Sequence, residues 1–453
     1  MRLLVLGGGA AGMTAASLVM RRAPDTEIVV VERGSHTSYS MCGIPYYVGG
    51  EIETSEDLVV RTPEEFQQQG MTVHMGTEAI AIDPQARTVT VRVLATGEER
   101  EERYDELLYA LGAHPSVPDL PGLAEHGYVV HTLDEGERLR TALDRRDDVK
   151  SVVVVGAGYI GMELAEALVE RGLRTTLVDM AEQVMGTLDP DMAAHVQGAL
   201  EDFGVRLGLG ERLERIDADD AGCRSVQTDR DCYEADLVVL AMGAKPNVEL
   251  AAAAGCRVGE TGALAVDRGL RTNVEHVWAA GDCVESTHLV SGQQVNVQLG
   301  THANKQAKIA AINLTGGDTV FPGVVGTAVT KVCQWEIART GLSEREAEAA
   351  GLDGVTASFT GTASAGYMPD PGTVHVKMMA ERGTGRVLGA QLVGTGNVGK
   401  RIDTAATWCQ LGVRVADAQL FDLSYAPPFG GVWDLLAVAA RKLVSALDLE
   451  PRL

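Results

Sequence analysis

The chain opens with a short apolar run, a glycine-rich turn and then a segment whose apolar residues recur at helical spacing. Leu3–Leu6 predicts a buried strand, Met13–Arg22 a helix rich in alanine, and Glu27–Val31 a second strand that ends at Glu32. A strand, a helix and a strand in this order predict two parallel strands joined by a crossover helix.

The same succession recurs in the middle of the chain. Ser151–Val155 predicts a strand, Met162–Gly172 a helix, and Thr175–Val178 a strand that leads to Asp179. Two such units predict the α/β fold class, with two parallel sheets covered by helices.

Glycines stand at the spacing Gly-x-Gly-x-x-Gly where each first strand meets its helix. Glycine lets the backbone approach a pyrophosphate, the helix N-terminus faces the phosphate charge, and a carboxylate at the end of the next strand accepts from ribose hydroxyls. The complete order of elements favours two nucleotide sites over chance glycine turns, and hence two Rossmann-like dinucleotide-binding domains. The candidate residues are Gly7, Gly9, Gly12 and Glu32 in the first unit, and Gly156, Gly158, Gly161 and Asp179 in the second.

The second unit indicates which nicotinamide cofactor is preferred. Asp179 would accept from a ribose 2′-hydroxyl and repel a 2′-phosphate, and the following Met180, Ala181 and Glu182 supply no cation. NADH is therefore expected in preference to NADPH, whose use remains open.

Further apolar strands end at glycine. Leu107–Gly112 and Leu237–Gly243 follow the two units, and Thr272–Asp282 ends in Gly281 and Asp282. Here the sequence resembles the flavin-dependent pyridine nucleotide-disulfide reductases, in which such an aspartate binds the ribityl chain of FAD. An ordinary aspartate in a turn is the alternative. The resemblance implies that Gly112, Gly243, Gly281 and Asp282 also belong to the cofactor sites.

The last third of the chain has no third glycine loop. Val374–Met378 and Val387–Val393 predict strands, whereas Arg401–Leu411 and Trp433–Leu447 predict helices. The predicted organisation is an FAD-binding domain in two parts (1–115 and 248–325), an NAD(P)H-binding domain between them (116–247) and, by resemblance, an α+β dimerisation domain (326–453).

Composition excludes several classes of partner. The formal charge of −24 over 453 residues would repel nucleic acids and anionic membranes. No run reaches the roughly 18 apolar residues of a membrane helix, so a cytoplasmic location is expected. Seven cysteines form no Cys-x-x-Cys pair, which favours reduced thiols, and no metal site is expected.

Cys42 is the candidate redox centre, within the segment Thr37–Tyr47 that follows the first unit. Dithiol enzymes of the superfamily carry a second cysteine five positions on, where this chain has Tyr47. No histidine follows His375, so the C-terminal histidine base of glutathione-type reductases is also missing. The chemistry is therefore expected to use one sulfur, as a mixed disulfide, a persulfide or a sulfenic acid.

The pattern around Cys42, Ser-aromatic-x-x-Cys-Gly-x-Pro-Tyr-Tyr, resembles the coenzyme A-disulfide reductase family. The resemblance covers essentially the whole chain, and the other segments that carry it are Leu299–Gln306, Gly326–Lys331, Ala338–Leu342, Ala365–Tyr367, Lys400–Asp403 and Leu423–Phe429. It implies an FAD enzyme that reduces CoA disulfide, or a related small disulfide or persulfide, with electrons from NADH.

The family resemblance also assigns roles to individual residues. Tyr367 and Tyr425 would reach the cysteine of the partner subunit in a homodimer and protonate the leaving thiol, although a buried structural tyrosine is the usual alternative. Tyr159 would gate the nicotinamide site, and Glu163, one helical turn later, would orient the nicotinamide or be an exposed helix glutamate. The implied CoA-binding residues are Thr14, Arg21, Ser38 and Asn304; Arg22 matches as well, or is a surface charge.

Some positions depart from the family. Members that bind CoA through additional lysines have them where this chain has Gly70 and Trp433, and the common asparagine before the cysteine is Met41. An NADH oxidase or peroxidase is one alternative, although the segment between Gly9 and Gly12 lacks the histidine usual in those relatives. A persulfide or polysulfide reductase is another, although such relatives often carry a rhodanese domain. A non-catalytic redox sensor is a distant third.

Overall fold

The computed structural model describes residues 1–146, 148–219 and 222–450. The helices are α1 (Ala10–Arg22), α2 (Ile44–Gly49), α3 (Pro63–Gln68), α4 (Leu123–His126), α5 (Leu133–Arg145), α6 (Tyr159–Glu170), α7 (Pro190–Phe203), α8 (Glu249–Ala253), α9 (Gly300–Leu314), α10 (Glu344–Ala349), α11 (Val398–Leu411), α12 (Val415–Ala418) and α13 (Leu435–Leu447). Short 3₁₀ turns cover Met41–Gly43 and Ser55–Leu58.

The strands fall into three larger sheets and several small ones. They are β1 (Arg2–Leu6), β2 (Glu27–Val31), β3 (Thr72–His74), β4 (Thr77–Asp83), β5 (Thr88–Val93), β6 (Glu99–Arg103), β7 (Glu106–Tyr109), β8 (Ala113–Pro115), β9 (Gly127–Val129), β10 (Ser151–Val155), β11 (Arg174–Asp179), β12 (Arg206–Leu209), β13 (Leu213–Asp219), β14 (Gly222–Thr228), β15 (Cys232–Glu234), β16 (Leu237–Leu240), β17 (Ala244–Pro246), β18 (Val277–Ala279), β19 (Ser286–Thr287), β20 (Gln294–Val295), β21 (Ala328–Val332), β22 (Trp335–Gly341), β23 (Gly354–Thr362), β24 (Thr373–Glu381) and β25 (Val387–Gly394).

The first large sheet is parallel, with the strand order β18-β7-β1-β2-β3. Its central strand β1 is almost wholly apolar and buried, as expected for a parallel strand covered on both faces. The edge strand β18 comes from a distant part of the chain and pairs with β7. The chain therefore leaves this domain after β7 and later returns to complete it.

The second sheet is also parallel, with the order β12-β11-β10-β16-β9. It lies between the two visits of the chain to the first domain. A two-stranded antiparallel ribbon of β8 and β17 stands where the chain passes between the domains. The domain boundaries predicted near residues 115 and 247 fall at the ends of this ribbon and remain predictions.

The C-terminal third forms an antiparallel sheet with the order β21-β22-β25-β24-β23. Helices α11 and α13 pack against it, and their buried residues join those of β24 and β25 in one hydrophobic core. The sheet also contacts the second domain, because α7 packs on β22 and β25.

The predicted α/β class is confirmed, although some element bounds differ. Helix α6 begins at Tyr159, directly after Gly158, because the glycine loop enters the helix without a linker. It ends before Gly172, whose φ of +79° lies in the left-handed region. The predicted strand from Thr272 is reduced to β18, since Thr272 accepts from Val274 N–H and holds a turn there. Within the described residues, no helix is long and apolar enough to cross a membrane.

Candidate active site

The first glycine loop is packed tightly against the protein on one side and open on the other. Gly7 has a φ of +104°, and a Cβ on it would lie 2.3 Å from the Ala110 carbonyl oxygen. A Cβ on Gly12 would lie 1.9 Å from the Gly7 carbonyl oxygen. A Cβ on Gly9, in contrast, would meet no atom within 4 Å. The backbone of this loop therefore faces free space at the start of α1, where a pyrophosphate fits.

Glu32 lies at the end of β2 and faces the same loop. Its carboxylate accepts hydrogen bonds from the backbone N–H of Gly8 and of Gly34, both at 2.6 Å. These bonds fix the carboxylate beside the glycine loop, where the ribose of a bound nucleotide would lie.

The second glycine loop repeats this geometry. A Cβ on Gly156 would lie 2.2 Å from the Ala241 carbonyl oxygen and one on Gly161 would lie 1.8 Å from the Gly156 carbonyl oxygen, whereas Gly158 faces open space. Asp179 accepts from the N–H of Ala157 at 2.6 Å and of Ala181 at 2.8 Å. The two loops thus have the same shape, and each has a carboxylate partner that follows or ends the second strand of its unit.

The last predicted cofactor residues lie at three strand ends. Gly112 and Gly243 have φ values of +64° and +81°. Gly281, with a φ of +92°, donates its N–H to the Gln306 side chain at 2.8 Å.

Asp282 is partly buried, and this burial raises the pKa of its carboxyl group. Among the described residues none donates a hydrogen bond to this carboxyl group, although a ribityl hydroxyl could. With the open side of the Gly9 loop and the placement of Glu32, this acceptor makes the first domain a good fit for FAD.

Cys42 lies in the short turn Met41–Gly43, directly before α2. The segment that leads into this turn is tied to the first glycine loop, because the N–H of Ser38 donates to the Gly8 carbonyl oxygen at 3.0 Å. Ser38 has a φ of +46°, which makes a sharp bend between the loop and the cysteine. Cys42 reaches the protein surface, as Cys232 does, whereas the other cysteines of the described chain are buried.

The surroundings of Cys42 favour the neutral thiol. Partial burial is the main cause that raises its pKa, and the negative charges of Glu163 and Asp282 raise it further. A thiolate at Cys42 therefore has to be stabilised by groups other than these two carboxylates.

Tyr159 and Glu163 lie on the first turns of α6, and both are partly buried. Burial raises the pKa of each side chain. Glu163 accepts a hydrogen bond from the Thr330 hydroxyl on β21, so it is not an exposed helix glutamate. Thr330 was not foreseen from the sequence, since nothing in its local pattern indicates contact with a helix so far away in the chain.

Tyr367 and Tyr425 lie together on the surface of the C-terminal domain. A hydrogen bond with Tyr425 raises the pKa of Tyr367. Their exposed fractions of 74% and 47% show that neither is a buried structural tyrosine. Within one chain they form a pair of hydroxyls that is free to contact another molecule.

The predicted CoA-binding residues fall along the seam between α1 and α9. The Thr14 hydroxyl donates to the Asn304 side chain at 2.5 Å, so these two residues are brought together. Arg21 is exposed at the end of α1, whereas Arg22 donates to the Thr315 hydroxyl at 2.8 Å. Ser38 lies apart from this seam, at the glycine loop.

One cation beside Glu182, three residues after Asp179, was missed by the sequence analysis. Arg230, in the turn between β14 and β15, lies 3.8 Å from the carboxylate of Glu182. Adjacent positions in the chain contain no cation, as predicted, but the folded domain brings one from a distant hairpin.

Two family models match the chain. Residues 1–307 match the family described as pyridine nucleotide-disulphide oxidoreductase, and residues 327–436 match the dimerisation domain of the same family.

Curated relatives match over nearly the whole length. A protein from Pyrococcus horikoshii named NAD(P)H coenzyme A polysulfide/persulfide reductase is 38% identical, over 98% of each chain. An NADH oxidase from Methanocaldococcus jannaschii is 34% identical, over 99% of this chain and 100% of the relative. A coenzyme A disulfide reductase from Staphylococcus aureus is 28% identical, over 97% of this chain and 99% of the relative.

A solved structure agrees with them. The NAD-dependent persulfide reductase from A. fulgidus has 38% sequence identity and a TM-score of 0.95, over 99% of this chain and 84% of that chain. The predicted resemblance to the coenzyme A-disulfide reductases is thereby confirmed. The protein belongs to the pyridine nucleotide-disulphide oxidoreductases.

Proposed function

We propose that the protein is an FAD-dependent NAD(P)H reductase of CoA disulfide, or of a related small disulfide or persulfide, with Cys42 as its redox centre. The observation that carries the proposal is the position of Cys42. It is a surface-accessible cysteine, and the segment that leads to it is hydrogen-bonded through Ser38 to the first glycine loop. Such a position lets one sulfur meet both a bound cofactor and a substrate from solution.

Each domain has a separate task in this proposal. FAD, when bound, accepts a hydride from the nicotinamide and supplies two electrons to sulfur. Glu32 and Asp282 bind hydroxyls of the FAD, and Asp179 binds the ribose of NADH. Glu163, fixed by Thr330, orients the nicotinamide, and Tyr159 covers its site.

The sulfur chemistry requires one cysteine and an acid. The Cys42 thiolate attacks one sulfur of the substrate disulfide, the S–S bond breaks, and the first thiol leaves with a proton. Two electrons then cleave the mixed disulfide, which releases the second thiol and regenerates the Cys42 thiolate. The leaving thiolate takes its proton from a tyrosine hydroxyl, for which Tyr367 and Tyr425 are the candidates.

The dimerisation domain indicates a homodimer. We propose that Tyr367 and Tyr425 of one subunit reach Cys42 of the other. Their exposure in the single chain and the closeness of the two side chains support this arrangement. The active site is then shared across the interface.

Persulfide reduction is the second candidate activity. It is favoured by identity, since the persulfide reductases are 38% identical to the chain and the CoA disulfide reductase is 28% identical. The NADH oxidase is intermediate at 34%, but residues 10 and 11 of the first loop are alanines, which offer no acid for a peroxide.

Mass spectrometry of the intact, untreated protein tests the proposal. We expect a CoA or sulfur adduct on Cys42 that disappears after NADH is added under anaerobic conditions. Cys232, which is also exposed, is the internal control and should carry no adduct that NADH removes. A Cys42 adduct that persists with NADH while the bound FAD becomes reduced would contradict the proposed route.

A further inference from the structure

The turn that joins β12 to β13 lies against the residues that follow Asp179. The Gly210 N–H donates to the Ala181 carbonyl oxygen and the Glu211 N–H to the Asp179 carbonyl oxygen, both at 2.9 Å. Gly210 has a φ of +68°, and a Cβ on it would lie 2.8 Å from both carboxylate oxygens of Glu182. The carboxylate of Glu182 therefore occupies the space that the glycine leaves, next to the ribose-binding aspartate.

The hairpin formed by β14 and β15 brings a cation to this carboxylate. Thr228, at the end of β14, donates its hydroxyl to Glu211 at 2.8 Å. The same hydroxyl accepts from the N–H of Arg230 at 3.2 Å and of Asp231 at 2.8 Å, which closes the turn. Arg230 is thus held beside the Gly210 turn, with its guanidinium 3.8 Å from Glu182.

Two other arginines near these two turns have their own acidic partners. Arg206 lies 2.8 Å from Asp231 and Arg212 lies 3.7 Å from Asp229. Arg230 differs from these two arginines because its partner is Glu182, the acid that follows the strand ending at Asp179.

We infer that Glu182 and Arg230 together set the discrimination between NADH and NADPH. Glu182 repels a 2′-phosphate and pairs with Arg230, a guanidinium that could otherwise bind it. Without the Glu182 charge, Arg230 is free to pair with the 2′-phosphate, because guanidinium groups bind phosphate well. This inference rests on the proposed binding of a nicotinamide nucleotide in the second domain.

The pair acts at the surface, so the expected effect is moderate. The exposed fractions of the Arg230 and Glu182 side chains are 58% and 84%. Water and salt weaken charge interactions at such positions. We expect Glu182→Gln to change the discrimination about tenfold, roughly 1.4 kcal/mol.

The experiment compares two fragments of the cofactors as inhibitors that compete with NADH, on the FAD-loaded enzyme. Adenosine 2′,5′-bisphosphate carries the 2′-phosphate, and 5′-AMP lacks it. In Glu182→Gln the ratio of their inhibition constants should shift about tenfold towards the bisphosphate. The double variant Glu182→Gln/Arg230→Gln should lose this gain, and higher salt should reduce it.

A matched control is Glu201→Gln, which removes an exposed carboxylate on α7 of the same domain. It should leave the ratio of the inhibition constants unchanged, because we expect the effect to come from the charge of Glu182 and not from the net charge of the domain. The inference is overturned if Glu182→Gln changes the ratio less than twofold, or if the double variant keeps the gain. Failure of the wild-type enzyme to oxidise NADH would instead show that the proposed function is wrong.

Discussion

The Thr330 hydroxyl donates a hydrogen bond to the Glu163 carboxylate, and this bond joins β21 of the C-terminal domain to α6 of the second domain. Close by, Glu166 on the same helix pairs with Lys331 at 3.4 Å. Two consecutive residues of β21 therefore hold two acids of α6, and the charge of one of these acids, Glu163, acts on Cys42.

Removing the charge of Glu163 should make Cys42 more reactive at lower pH. Burial is the main reason why the pKa of Cys42 is raised, and Glu163 is the next cause. Glu163→Gln keeps the shape of the side chain and removes the charge, so it should lower the pKa of the thiol. The rate of alkylation of Cys42 by iodoacetamide against pH measures this, in a Cys232→Ser background that removes the other exposed thiol.

The control for this experiment is Glu170→Gln, an exposed position at the far end of α6. It should leave the pH profile in place. An unchanged profile in Glu163→Gln would show that the carboxylate does not act on the cysteine.

Two alanine substitutions in the first glycine loop should have different effects. Gly12→Ala places a Cβ 1.9 Å from a backbone oxygen, so the loop must shift, at a cost of about 1–3 kcal/mol. Gly9→Ala meets no protein atom and should leave the fold intact, but its methyl group enters the proposed pyrophosphate space. Thermal unfolding and bound FAD per chain separate the two effects. Full FAD binding by Gly9→Ala would place the cofactor elsewhere.

Acid should weaken the contact between the second and the C-terminal domains. The rings of His195 on α7 and His375 on β24 stack at 3.5 Å, with 8° between their planes. Burial, and then the charge of His195, lower the pKa of His375. The pKa of His375 is therefore lower in the folded chain than in the unfolded chain, so the unfolded chain binds more protons in acid. The stability that the neutral His375 contributes is lost as the pH falls below about 6.5.

His375→Phe tests this effect because phenylalanine can stack without being protonated. The difference in thermal midpoint between the variant and the wild type should move in favour of the variant between pH 7.5 and pH 5.5. A difference that is constant over this range would contradict the role of the histidine pair.

The tyrosine pair should matter only for the sulfur half of the reaction. Tyr367→Phe or Tyr425→Phe removes a hydroxyl but not the ring, and the loss of a positioned acid slows a reaction by about 10²–10⁴. Because Tyr425 is the main cause that raises the pKa of Tyr367, the two side chains interact, and the double variant should be less impaired than the product of the single effects. Stopped-flow reduction of bound FAD by NADH should be unchanged in all three. Full disulfide turnover in the double variant would rule out both tyrosines as proton donors.

Local sequence patterns were sufficient for the two glycine loops. Strands β2 and β10 have the predicted bounds, and both loop carboxylates face their loops, because these contacts lie within about 25 residues of chain. The strand expected from Thr272 was too long, since a side-chain hydrogen bond of Thr272 holds a turn that apolar periodicity does not indicate.

Contacts between distant elements could not be predicted in the same way. Thr330 reaches Glu163 across 167 positions, and Arg230 reaches Glu182 from a hairpin whose Thr228 is hydrogen-bonded to Glu211. Such contacts depend on how complete domains pack, and no local spacing encodes them. The roles of the site residues remain predictions for the experiments above.

The most direct test of the account is the comparison of Cys42→Ser with Cys232→Ser. Both variants replace an exposed thiol, but only Cys42 lies at the first glycine loop. A serine can neither ionise near neutral pH nor form a mixed disulfide. The measurement is NADH-dependent reduction of CoA disulfide and of CoA persulfide, with reduction of bound FAD by NADH followed in parallel. We predict that Cys42→Ser loses reduction of both substrates and keeps FAD reduction, while Cys232→Ser keeps all three; substrate reduction at the wild-type rate by Cys42→Ser would contradict the account.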